Sequence, residues 1–392
     1  MKPDFEILRR NTPGCRPGYT HLNAAGASLP DQSVIEAVLA YNKLEAQLGG
    51  YEAARETSET LERFYPAVAE LLNCEANEVA FLENATRAWQ AVFYSFSFQP
   101  GDRIVTCETE YASNFIAYLQ RKRREGVIID VIPAQDDGDI DLSALDAAIT
   151  DRTRLISMSH IPTSSGIVLP AEEVGAIAKK HGVPFLLDAC QSVGQIPVDV
   201  KAIGCDMLSA TGRKYLRAPR ATGLLFVNRA MQKKLEPFVL DLHSAKWIDD
   251  DSYEVREDGR QFENWEQNIV GKRGMVQAIE NANTIGLEVI HQKIREQANT
   301  LRAMLTDIRK ITLLDLGKNK CGIVTFSVNG QDAIKVRDAL YQRGIATASI
   351  AGWNSLIDTR RRNIPSLVRA SVHYYTNDQD LLALTDALQD LR

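Results

Sequence analysis

Between about residues 66 and 230 the chain alternates short apolar runs with stretches of helical periodicity. EVAFL (78–82), RIVTCE (103–108), VIIDVIPA (127–134), RLISMSHI (154–161), PFLLDAC (184–190) and GLLFVN (223–228) are largely apolar rather than apolar at every second position. Strands of that kind have both faces covered, so the pattern predicts an α/β fold built on a mostly parallel sheet with helices on both faces. Helices are expected from near Thr86, through FIAYLQRKRRE, and over the segment ending AIAKKHG. A long helical pattern covers 270–310. A smaller α+β unit follows, with GIVTFSV (322–328), a helix at 331–343, IATASI (345–350), VRASVHYY (368–375) and a final helix. The expected division is an N-terminal arm (1–20), a large ligand-binding domain (21–270), a connecting helix (271–310) and a small C-terminal α+β domain (311–392).

Composition removes several function classes. A net charge of −6 argues against a nucleic-acid partner, because such proteins usually carry a basic excess. No apolar run approaches the roughly 20 residues a membrane span needs, and MKPDFEILRRNTPG lacks the apolar core of a secretion signal. The six cysteines are scattered, with no CxxC and no Cys/His metal spacing, which predicts reduced thiols, a cytoplasmic location and no metal site. DDGDIDL (136–142) lacks the sixth-position Gly and terminal Glu of a calcium loop and is read as a surface turn.

In open α/β sheets, ligands gather at the carboxyl ends of the strands. Several of those ends carry chemistry here. Asn84, Ala85 and Thr86 follow a strand and open a helix, whose free N–H groups suit a phosphate; a threonine there is also a common cap. Asp188 ends an apolar strand, where an ionised carboxylate needs a partner. Strand alternation places Cys190 on the same face, as a pocket wall or as packing, and Gln191 lies just beyond. SATGRKYLRAPR (209–220) sets Lys214 beside Arg213, Arg217 and Arg220 with no acidic partners, so an anion is expected there. Neither GxxxxGK[ST] nor GxGxxG occurs. A lysine, a strand-end Asp, an aromatic after another strand (Tyr111) and a phosphate cradle together fit pyridoxal 5′-phosphate (PLP). That cofactor is held through a lysine Schiff base, and its ring nitrogen wants a carboxylate.

These segments make the chain recognisable. It resembles the class V aminotransferase and cysteine desulfurase branch of the fold-type I PLP enzymes, from HLNAAGASLP (21–30) to VRASVHYYTN (368–377). The resemblance implies that ENAT (83–86) is the phosphate loop, with Asn84 where the family usually has Gly. In TEYASN (109–114), Tyr111 takes the place of the ring that stacks on the cofactor. In DACQ, Asp188 pairs with the ring nitrogen and Gln191 with the phenolic oxygen. TGRK implies Thr211 and Arg213 at the phosphate and Lys214 as the catalytic Schiff-base lysine. SHIPTSSG leaves Thr163 beside the cofactor or the substrate. VRAS makes Arg369 the grip on the substrate carboxylate, with Asn23 as a further substrate contact. FENWE (262–266) brings Trp265 toward an active site, from the second subunit of a homodimer with interfacial sites, or else leaves it a core or interface aromatic. Cysteine desulfurases carry a persulfide-forming cysteine on a small-domain loop, whereas residues 329–392 contain none. The resemblance is therefore to the C–S lyase group: sulfoxide lyases of the ergothioneine type and cysteine/cystine lyases. The implied reaction is β-elimination on a cysteine S-conjugate or sulfoxide, giving pyruvate, ammonia and a thiol or sulfenate. An aminotransferase or an isopenicillin epimerase-like enzyme is the alternative.

Overall fold

In the computed structural model, which describes residues 3–391, the apolar runs assemble into one seven-stranded sheet. Its order is Val79–Leu82, Gly223–Val227, Met207–Thr211, Phe185–Asp188, Thr153–Ser159, Arg103–Cys107, Ile128–Ile132. Gly223–Val227 runs antiparallel to both neighbours, and every other pairing is parallel. Both faces are covered, as the unbroken apolar runs require. Leu187 and Leu208 belong to one core cluster, while their neighbours Leu186 and Met207 point into another on the opposite face. Each such fully buried side chain contributes about 1.5–3 kcal/mol. A one-residue slip would swap the side chains of the two faces and disturb the packing of both cores.

Helices start and stop where local chemistry dictates. The Asn84 side chain accepts from the N–H of Arg87 and opens the helix Ala85–Phe93. The helix Ala112–Glu125 ends at Gly126, whose φ of 71° is the left-handed conformation that caps a helix. A close approach requires Gly223: a Cβ there would lie 3.0 Å from the N of Ala85. The bare backbone lets the helix N-terminus press against the strand.

Three elements depart from the sequence expectation. The pattern over 270–310 is two helices, Ile269–Ile285 and Leu287–Thr306, broken at Gly286 with φ 90°. The first packs on Gln32–Leu48 and Phe64–Leu72, so it is not one continuous connector. IATASI is two short strands. Ile345–Ala346 pairs with Thr20–His21, whereas Ala348–Ala351 pairs with Ser366–Ser371. The small sheet therefore has the order Ile311–Leu313, Ile323–Val328, Ser366–Ser371, Ala348–Ala351. VRASVHYY stops being strand at Ser371, and His373 stacks between Tyr215 and Tyr375. No helix among the described residues is long and apolar enough to cross a membrane.

Candidate active site

The strand Phe185–Asp188 ends in a carboxylate that is 7% exposed. Asn114 Nδ2 donates to its Oδ2 at 2.9 Å, and the N–H of Cys190 donates to Oδ1 at 3.0 Å. Two neutral donors orient Asp188 from within the chain. Cys190 also reaches the site by a route other than strand alternation. The strand has ended, and the turn folds residue 190 back over Asp188. Burial, with Asp188 beside it, pushes the Cys190 thiol well above its ordinary range, which disfavours the thiolate a nucleophile needs.

Lys214 lies in the turn after the strand Met207–Thr211. Burial lowers its ammonium from the usual lysine value, and Arg213 and Arg369 push the same way against Cys190 and Asp188. Gly194 makes this packing possible. Its φ is 85°, and a Cβ would lie 2.7 Å from the N of Leu216 in the lysine loop. Arg213 donates to the carbonyl of Gly26 at 3.0 Å. Thr211 sits opposite Gly223 in the sheet, which places it beside Ala85 and the helix N-terminus; its hydroxyl donates to the Thr222 carbonyl at 3.4 Å. Thr86, one residue into that helix, is exposed.

Only part of the basic stretch faces this site. Arg217 is buried elsewhere, donating to Leu29 O at 2.7 Å and Thr12 Oγ1 at 2.6 Å, bonded to the Tyr374 hydroxyl, and stacked on Tyr374 and Tyr375. It ties the lysine loop to the N-terminal arm, with φ of 63° at a non-glycine residue. Arg220 is exposed. The expectation that the arginines as a group meet an anion therefore narrows to Arg213. Apolar stacking serves Arg217 because guanidinium is planar and weakly hydrated.

Arg369, 4% exposed, donates to Thr163 Oγ1 at 2.6 Å, to Thr163 O at 3.2 Å and to Asn23 Oδ1 at 3.4 Å. Gln191 Nε2 donates to Ala25 O at 3.1 Å and lies 3.4 Å from Thr163 Oγ1. Arg369, Thr163, Gln191 and Asn23 thus form one edge of the site, and Tyr111, capping the helix Ala112–Glu125, is close enough to act electrostatically on Arg369. Burial drops the Arg369 guanidinium to about 10, with Arg213 pushing the same way. Among the described residues no carboxylate pairs with Arg369 or Arg213, and Arg369 Nε and Gln191 Oε1 are buried without partners. Three cations against one carboxylate, with the Arg369 Nε donor left over, fit an anionic cofactor and an anionic substrate, while Gln191 Oε1 calls for a donor.

Trp265 is not brought here within one chain. It is half exposed and flanks a separate cavity of about 570 Å³ with Tyr51, Tyr65, Glu263 and Lys272, its N–H donating to Asp241 at 2.7 Å. Among the described residues no cluster of His, Cys, Asp and Glu is arranged to hold a metal ion. The sequence reading missed Glu110, Asn114 and Tyr118, which form the bed under Asp188. Asn114 and Tyr118, four residues apart on one helix face and four and eight past Glu110, were the available signal.

Residues 20–384 match the Aminotransferase class-V family. A probable cysteine desulfurase of Methanothermobacter thermautotrophicus is 29% identical over 394 residues, covering 98% of each chain. A cysteine desulfurase of Serratia proteamaculans is 26% identical, covering 100% of this chain and 97% of its own. Among solved structures, the apo cysteine desulfurase of Thermococcus onnurineus NA1 superposes with a TM-score of 0.91 at 24% identity, over 100% of this chain and 99% of that one. The cystine C–S lyase C-DES, in complex with cysteine persulfide, superposes with a TM-score of 0.85 at 22% identity, over 97% and 99%. The architecture is that of the fold-type I PLP enzymes.

Proposed function

The chain belongs to the aminotransferase class-V family, and on that footing we propose that it is a PLP-dependent carbon–sulfur lyase acting by β-elimination on a cysteine S-conjugate or cysteine sulfoxide. The cofactor is pyridoxal 5′-phosphate, which when bound supplies a sink for the electrons released at the substrate Cα. Lys214 is the residue to bind it covalently, and Ala85, Thr86, Thr211 and Arg213 lie where its phosphate would be cradled. Asp188, held by Asn114 and the N–H of Cys190, keeps a proton at the ring nitrogen. Arg369 offers a fork to the α-carboxylate beside Thr163 and Asn23. Lys214, lowered by burial and by two arginines, is suited to take the Cα proton. Loss of that proton and of the β-sulfur, followed by hydrolysis, balances as pyruvate, ammonia and a thiol, or a sulfenate from a sulfoxide.

The observation that carries elimination over sulfur relay is the small-domain segment that would hold a persulfide cysteine. Residues 329–392 contain no cysteine, and the stretch Leu356–Arg361 is a short helix fixed by Arg361 on Glu108 at 2.9 Å. The relatives called cysteine desulfurases share the family, while C-DES, named a cystine C–S lyase, shares the fold. A homodimer belongs to the same reading, supported by the half-exposed Trp265 and exposed Tyr51 around the second cavity; a one-chain mass in light scattering would remove it. The deciding experiment incubates the holoenzyme with cysteine conjugates and sulfoxides and measures pyruvate and ammonia without any keto acid. Dependence on a keto acid would make it an aminotransferase, and loss of sulfur release on a single Cys→Ala change would make it a desulfurase.

A further inference from the structure

Glu110 is a second buried carboxyl group in the Asp188 network, and nothing in the reaction above uses it. It is 3% exposed, just past the strand Arg103–Cys107. Its Oε1 accepts from the N–H of Tyr111 at 2.6 Å, the Ser159 hydroxyl at 2.7 Å and the Asn114 amide at 3.1 Å. Its Oε2 lies 3.1 Å from the Tyr118 hydroxyl and 3.2 Å from the Thr106 hydroxyl. Tyr118 has a single proton, and its oxygen is also 2.8 Å from the Ser157 hydroxyl. Ser157 can donate as well as accept, so the chain can run either way: Tyr118 donates to an ionised Glu110, or a protonated Glu110 donates to Tyr118 and Tyr118 to Ser157. The Asn114 amide then spends one hydrogen on each acid, at 3.1 Å and 2.9 Å.

We propose that Glu110 is a positioning residue that holds a proton so that Asp188 stays the charged member of the pair, with Asn114 setting their separation. Two carboxylates in one low-dielectric pocket do not both ionise cheaply, and Asp188 has the Lys214 ammonium acting on it while Glu110 has no cation beside it, so Glu110 is the one to stay neutral. The titratable groups facing Glu110 are Asp188, Tyr118 from the helix Ala112–Glu125 and Cys107 from the strand Arg103–Cys107. Among the described residues no lysine, arginine or histidine pairs with it. Burial first, and Asp188 second, push its carboxyl up to about 7. That the preserved charge serves a cofactor ring rests on the proposed function.

The test is an infrared titration of the holoenzyme between about pH 6 and about pH 8, across the raised value of this acid. A carbonyl stretch of a protonated carboxylic acid should disappear as pH rises, be absent from Glu110→Gln and be displaced in Glu110→Asp. Glu110→Gln imitates the protonated acid, so it should also remove a near-neutral inflection from the visible absorption of the bound cofactor. The melting temperature adds a third readout. The unfolded chain releases this proton near the ordinary glutamate value and the folded chain keeps it, so wild type should lose stability relative to Glu110→Gln as pH rises toward 7. A wild-type spectrum with no titrating carboxyl over this range overturns the proposal, even if the glutamine variant fails to fold. So does an inflection that survives in Glu110→Gln. A protein that takes up no cofactor would instead defeat the functional reading and leave the carboxyl titration as a test in its own right.

Discussion

Two regions of this molecule each hold a buried glutamate and a lysine whose ammonium burial disfavours, and their glutamates are wired in opposite ways. Around Glu263, 1% exposed, every partner favours the charged form. It accepts from the N–H of Phe81 at 2.7 Å, from Tyr65 and Gln267 at 3.0 Å, and pairs with His243 at 3.1 Å. Lys272 donates to the same Tyr65 hydroxyl at 2.9 Å and sits 4.6–5.5 Å from three aromatic ring centres. Burial opposes ionisation, yet His243, Lys272 and the N–H donors hold the Glu263 carboxyl below the ordinary range. Around Asp188 the glutamate's balance is reversed, while burial pushes both lysines down, Lys272 against Glu263 and Lys214 against Asp188. Glu110 is pushed up by burial and by Asp188, and Lys214 is pushed down by burial with two arginines alongside. The first centre is electrostatically satisfied and ties helices to the sheet. The second sets three cations against the single carboxylate of Asp188, a surplus that suits anionic ligands.

Lysine replacement separates the two centres most sharply. Lys214→Ala is expected to remove turnover, by roughly 10²–10⁴-fold for the lost proton transfer alone and further for the lost covalent anchor, with little change in melting temperature. Measured pyruvate formation near wild type would erase the distinction. Lys272→Met should do the converse. It leaves Glu263 buried with less compensation, at a cost of up to about 3 kcal/mol in denaturant unfolding, while kcat stays close to wild type. An unfolding midpoint unchanged by this substitution would mean that the satisfied centre does not hold the fold together.

Arg369→Lys keeps the charge and loses the planar fork, so kcat/KM on an amino-acid substrate should fall by about tenfold, mostly in KM. Equal efficiency in this variant would place the carboxylate anchor elsewhere. The smallest effect is a pH dependence. Glu263 titrates below its ordinary value near 4.5, so its contribution to stability is complete above that pH and is lost as pH falls through the lowered value. The advantage in melting temperature of wild type over Glu263→Gln should therefore shrink on acidification below about pH 4. A constant gap would show that Glu263 is not held charged by its neighbours.

Much of this was legible in the chain, and particular residues show why. Unbroken apolar runs such as PFLLD can be satisfied only by a sheet covered on both faces, so the sequence determined the architecture, and with it the strand ends that carry Asp188 and Lys214. The missing small-domain cysteine is likewise a fact of composition that no folding can alter. Partnership was left to the tertiary structure. Arg213 and Arg217 look alike in SATGRKYLRAPR, yet one faces the site and the other stacks on Tyr374 and Tyr375, because those rings arrive from a segment 157 or more residues away. Glu110 reads as one more acid in TEYASN until the helix Ala112–Glu125 turns Asn114 toward Asp188, 74 residues distant. A side chain's charge state depends on what surrounds it in space. The sequence determined which groups were present, and only the folded chain decided which of them were left without a counter-charge.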